Sequence, residues 1–140
     1  MKKYINIAFV YTVLGIISGV FYREFTKFNN FTSKTTLAFT HLHLIALGGL
    51  VFLIVALFSC VSDLTLQKEF KTFMKFYNVG LANMVIMLYV RGIIQVLLID
   101  TNKMMNASIS GFAGIAHIIF TIGIVYLFLA LRKSKSLFVK

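Results

Sequence analysis

Four long apolar stretches, at about residues 4–22, 37–60, 76–99 and 108–131, are separated by short polar connections. A helix crossing a hydrocarbon core of about 30 Å needs roughly 20 such residues. In a bilayer every backbone N–H and C=O must be satisfied within its own segment, so each stretch is predicted to be a helix. The chain has no proline, so no helix loses a backbone donor. The connections YREFTKFNNFTSKTT, SDLTLQKEFKTF and DTNKMMN carry the polar and turn-forming residues. The predicted fold is therefore all-α: an integral membrane four-helix bundle, one domain over residues 1–140.

Composition agrees. Of 140 residues, 59% are hydrophobic, and the mean hydropathy of +0.90 lies far above that of a soluble domain. The start, MKK followed by an apolar run, has the form of a signal peptide. No small-x-small cleavage site follows, since FYREF comes next, and a retained helix is expected. The net charge of +10 comes from basic residues clustered at segment ends. With four spans both termini share a side. Nine Lys and Arg then fall with the termini (Lys2, Lys3, Lys68, Lys71, Lys75, Arg132, Lys133, Lys135 and Lys140), against four opposite (Arg23, Lys27, Lys34 and Lys103). That excess places both termini in the cytoplasm, in a multi-pass protein of the bacterial cytoplasmic membrane. The charge reads as contact with anionic lipid, not nucleic acid, because no soluble basic domain is expected to carry it. Cys60, the single cysteine, excludes an internal disulfide and reads as a small apolar filler, with palmitoylation as the lesser alternative.

Ionisable groups inside such segments are costly, an isolated cation at mid-bilayer by roughly 3 kcal/mol, and they point to function. Four occur: His41 and His43 in the second stretch, Arg91 in the third and His117 in the fourth. At about 1.5 Å per residue, His41 lies roughly 6 Å and His43 roughly 9 Å below the outer surface, Gln95 roughly 6 Å, Arg91 roughly 12 Å and His117 roughly 13 Å. Three helices thus place polar groups in one outer slab. Arg91 and Gln95, four apart, share a face. His41 and His43, two apart, are about 200° apart around a helix and cannot serve one small site.

These residues fit a zinc site poorly. One helix would offer zinc two histidines at i and i+4, and no acidic residue or cysteine joins the three imidazoles inside the membrane. A haem is wide, flat and apolar, and takes one or two imidazoles from separate helices. His43 and His117 form the expected axial pair, with His41 as the alternative to His43. Arg91 and Gln95 are placed on a propionate, since guanidinium binds carboxylate as a fork. Gly111 and Gly114 would make room for the flat ligand beside His117; most other glycines read as helix packing. Structural readings stand beside each residue: an interfacial anchor for His41, interhelical hydrogen bonds for His43 and His117, and a snorkelling side chain for Arg91.

The segments GVFYREF, THLHLIALGGLVFLI, FYNVGL, RGIIQV and ISGFAGIAHI together resemble a bacterial family of small four-helix membrane proteins of unknown function. That resemblance implies a topology and no activity. More loosely, His41-Leu42-His43 resembles the His-x-His helix of one four-helix unit in the haem-copper oxidase catalytic subunit. There the two imidazoles face different haems, and arginine holds the propionates. The copper-site histidine pair and the proton-channel carboxylate are missing, so the likeness implies haem b and not oxygen reduction.

Three functions follow as expectations. The first is a haem b protein for electron transfer, haem handling or gas sensing. The second is a copper-binding or copper-transporting protein, suggested by imidazole and by Met104 and Met105. The third is a non-catalytic assembly subunit. No soluble-enzyme motif is present, and Glu24, Asp63, Glu69 and Asp100 all fall in connections or at helix ends. The expected partners are the lipid bilayer and further copies of the chain, as a dimer or trimer.

Overall fold

The computed structural model describes residues 1–137, and Lys140, counted above among the inner charges, lies outside them. Four helices follow in order: α1 (Lys2–Phe28), α2 (Thr36–Val61), α3 (Lys68–Val96) and α4 (Lys103–Lys133). All four are long and apolar enough to cross a membrane. Among the described residues there is no sheet, only an isolated antiparallel bridge between Ser62 and Ser136. The end bearing the α1–α2 and α3–α4 connections is termed outer, and the end bearing the termini inner.

The helices depart from the apolar stretches at their ends. α1 runs on to Phe28, α3 begins at Lys68 and α4 begins at Lys103. Backbone bonding continues past the last apolar residue until a cap intervenes. Asn102 caps α4, its side chain accepting from Met105 N at 2.8 Å. α1 and α3 end alike, on residues of positive φ, Asn30 and Leu98, both at 51°. Phe31 N then bonds back to Thr26 O, and Ile99 N to Ile94 O, which satisfies a last-turn carbonyl in each. That left-handed residue is why α3 stops short of the predicted Ile99.

α2 holds the main departure from an unbroken helix. It begins as a 3-10 turn, Thr36–Phe39, and widens into a π-helix over His43–Leu50 before becoming α-helical at Val51. The last π bond runs from Val51 N to Ala46 O. Returning to α bonding skips one carbonyl, that of Leu47. The Tyr77 hydroxyl of α3 donates to this oxygen at 2.7 Å. The absence of proline does not prevent such a widening, because a π turn costs one carbonyl partner and no donor. Gly48 and Gly49 lie in the widened segment and receive Tyr11 and Thr12 of α1.

Packing divides along the bundle axis. The inner half is aromatic: Phe52, Phe73 and Tyr77 are fully buried and in ring contact, with the Phe120 ring of α4 tilted against Tyr77 at a centroid distance of 4.6 Å. The outer half is polar. Tyr89 donates to Ser18, Ser18 to Thr40 and Thr40 to Leu37 O, each at 2.7 Å.

α1 and α2 pack together, α3 packs along α2 and reaches α1 through the side chains of Phe70, Asn78 and Tyr89, and α4 packs chiefly along α3. Gly80 and Gly123 set that last crossing. A Cβ on Gly80 would lie 2.5 Å from the Phe120 backbone, and one on Gly123 2.6 Å from Tyr77 N. Only small residues allow so close an approach. The inner end of α4 is further secured by Lys133 donating to Glu69, and by the tail that follows it. There Asp63 N bonds to Lys135 O, Lys135 N to the Asp63 carboxylate, and Leu137 N to Val61 O. Cys60 is exposed at the inner end of α2, with its thiol 3.2 Å from Ala56 O.

Candidate functional site

His43 and His117 are prepared in the same way. His43 Nδ1 lies 2.8 Å from Phe39 O, and His117 Nδ1 lies 2.7 Å from Ala113 O, one turn back in each case. A carbonyl oxygen only accepts, so each Nδ1 carries the proton. In the neutral ring Nε2 then carries the lone pair, the form in which imidazole binds a metal, and the Nδ1 bond holds the ring in place.

His41 is arranged differently. It packs over Gly19 of α1. Its Nδ1 is buried and, among the described residues, is the one such side-chain atom without a hydrogen-bond partner. A buried lone pair costs less than a buried N–H left without an acceptor, so the proton belongs on Nε2. His41 therefore presents a donor where the other two present a ligand. The two histidines of α2 diverge as their spacing predicts, His41 towards α1.

Thr36, on the same side of α2 as His43, faces α3. Thr36 of α2 donates its hydroxyl to Leu88 O at 2.9 Å, and its N–H to Gln95 Oε1 at 2.8 Å. His43 lies seven residues on, within about 40° of Thr36 around the helix.

Phe112, Ile115 and Ile119 line a groove with Asn83 and Met87, on the far edge of α3. His117 is on the opposite side of α4 from these, on one face with Ser110, seven residues before it. Ser110 accepts from Arg91 Nη2 of α3 at 2.7 Å.

Depth follows from the packing register. Leu37 meets Gly92, so His43 is level with about Ile86. Gly80 meets Phe120 and Gly123 meets Tyr77, so His117 is level with about Asn83. Three residues separate these levels, roughly 4.5 Å along the axis. The packing register thus sets His43 of α2 and His117 of α4 at similar depth, with Arg91 of α3 nearer the outer end. Among the described residues no hydrogen bond joins His43, Arg91 and His117 to one another, and no group of three or more His, Cys, Asp or Glu converges as a metal site.

Two expected contributors are already engaged. Gln95 holds the start of α2 through Thr36 N, and Arg91 reaches sideways to Ser110 instead of snorkelling outwards. Cβ atoms on Gly111 and Gly114 would meet nothing within 4 Å, so both glycines face open space, and at 100° per residue Gly111 lies about 120° around α4 from His117. Sequence reasoning missed Ser110, Phe39 and Ala113 as partners. The cue for the last two was the i−4 carbonyl that any helical histidine can reach.

The fold is four helices, each long and apolar enough to cross a membrane, which is the form a small multi-pass membrane protein takes. The chain belongs to the family described as protein of unknown function (DUF2871), whose model matches residues 1–134. No curated protein and no solved structure matches the chain.

Proposed function

We propose that this is a bacterial cytoplasmic-membrane protein, both termini cytoplasmic, that binds haem b between α2 and α4 through His43 and His117. The observation that carries the reading is the shared state of the two imidazoles. Each has Nδ1–H on its i−4 carbonyl and the lone pair on Nε2, at similar depth on α2 and α4. Arg91 is the cation for a propionate. Its guanidinium has donors beyond the one given to Ser110. Large apolar side chains exposed along the helices, such as Phe9, Leu57, Ile118 and Phe128, favour a lipid surround over water.

A haem held by two imidazoles has no open position for oxygen, which favours electron transfer or haem handling over oxygen chemistry. Copper is the weaker reading, because Met104 and Met105 are exposed in the first turn of α4 and offer no thioether set. Protein purified from haem-replete cells is expected to show a Soret band, weakened by His43→Ala and by His117→Ala and unchanged by His41→Ala. A preparation that stays colourless after haem addition refutes the proposal.

A further inference from the structure

At the outer end, the α1–α2 connection, the start of α2 and the end of α3 enclose a cavity of about 240 Å³, lined by Tyr22, Lys34, Thr35, Thr36, Phe39 and Gln95 among others. Its polar groups are unequally committed. The Thr35 hydroxyl donates to Gly92 O, and the Thr36 hydroxyl to Leu88 O. Gln95 Oε1 accepts from Thr36 N, which leaves its amide NH₂ as two donors. No hydrogen bond or ion pair engages the side chains of Lys34 and Tyr22 among the described residues, and neither does any acidic residue line the cavity. What remains is an ammonium, an amide NH₂ and a phenolic O–H, three donors around one space. An oxyanion is the chemistry that satisfies them together.

The rim says which oxyanion. Phe39, 52% exposed, turns an apolar ring outwards beside the cavity. The cavity lies where α2 begins and α3 ends, the level of lipid headgroups for a spanning bundle. A free anion gains nothing from that ring, whereas an amphiphile places its phosphate on the donors and its acyl chain along the ring. We infer that this cavity binds the phosphodiester of an anionic phospholipid through Lys34, Gln95 and Tyr22. The inference rests on the membrane-spanning part of the reading above and not on haem. Retention of the chain in carbonate-washed membranes tests that part separately.

Native mass spectrometry of the detergent-purified full chain, titrated with phosphatidylglycerol and with phosphatidylcholine, tests the site. The wild type is expected to prefer phosphatidylglycerol by about fivefold or more, the scale of one lysine near an anionic headgroup. Lys34→Gln combined with Gln95→Leu abolishes that preference. Because Gln95 also holds Thr36, the single variants Lys34→Gln and Tyr22→Phe carry the test if the double variant fails to fold. Lys34→Gln is expected to reduce the preference, and Tyr22→Phe to weaken phosphatidylglycerol binding. Equal binding of both lipids by the wild type, an unchanged preference in Lys34→Gln, or unchanged phosphatidylglycerol binding in Tyr22→Phe overturns the inference. Displacement of phosphatidylglycerol by excess inorganic phosphate assigns the cavity to a free anion and overturns its assignment to lipid.

Discussion

Replacing Tyr77 by Phe removes one oxygen from the most enclosed part of the bundle and leaves the ring in place. Tyr77 is fully buried and its ring contacts Phe52, Phe73 and Phe120. What is lost is the 2.7 Å bond to Leu47 O, the carbonyl skipped where the π segment of α2 ends. The donor departs with the mutation, so only an acceptor is stranded. A buried group left unsatisfied costs about 1–3 kcal/mol, whereas polar contacts between membrane helices average about 0.6 kcal/mol because alternative partners exist. Leu47 has fewer alternatives, since the neighbouring amides are already committed on either side of the π–α switch. We therefore expect a loss of about 1–2 kcal/mol. For a chain of this size that lowers the melting temperature by about 3–6 °C.

Thermal unfolding of the detergent-solubilised protein, followed by circular dichroism at the helical minimum, reads this directly. Tyr11→Phe is the internal comparison. Its hydroxyl donates to the Asn78 side chain at 2.7 Å; that acceptor sits on a rotatable amide and not on a fixed backbone carbonyl, so the variant should lose no more than about 0.6 kcal/mol, the average for polar contacts between membrane helices. If Tyr77→Phe melts no lower than Tyr11→Phe, the skipped carbonyl has another partner and the account of the π segment fails.

Two further outcomes follow from the helix ends and the α3–α4 crossing. Leu98 holds φ 51° while its side chain is 78% exposed. Leu98→Asn should therefore raise stability by about 0.5–1 kcal/mol, seen as a higher melting temperature, because asparagine tolerates the left-handed region. Gly123→Leu forces a side chain into the Tyr77 backbone, and a loss of about 3 kcal/mol or more is expected. Normal melting of that variant would show that α4 is not seated as described.

The four helices were readable because twenty-residue apolar runs have one solution in lipid. Their ends were less so. The residues that stop α1 and α3, Asn30 and Leu98, act through backbone conformation, and a leucine gives no hint of a left-handed turn. The π segment was hidden for a similar reason. Its one local cue, Gly48-Gly49, reads equally well as ordinary close packing, and the group that completes it, Tyr77, is 30 residues away. The divergence of His41 from His43 was readable from their two-residue spacing, since only angle was needed. The commitments of Arg91 and Gln95 were not. Ser110 and Thr36 reach them through tertiary packing, which periodicity along one helix does not encode.

The fastening of α4 is lopsided. Its inner end is clamped by the Gly123–Tyr77 contact, the Lys133–Glu69 pair and the tail bonded to Val61 and Asp63. Towards its outer end, Arg91 donating to Ser110 is the one side-chain hydrogen bond to α3 among the described residues. α4 is thus pinned at its inner end, and a single arginine latches the outer part, the part that carries His117.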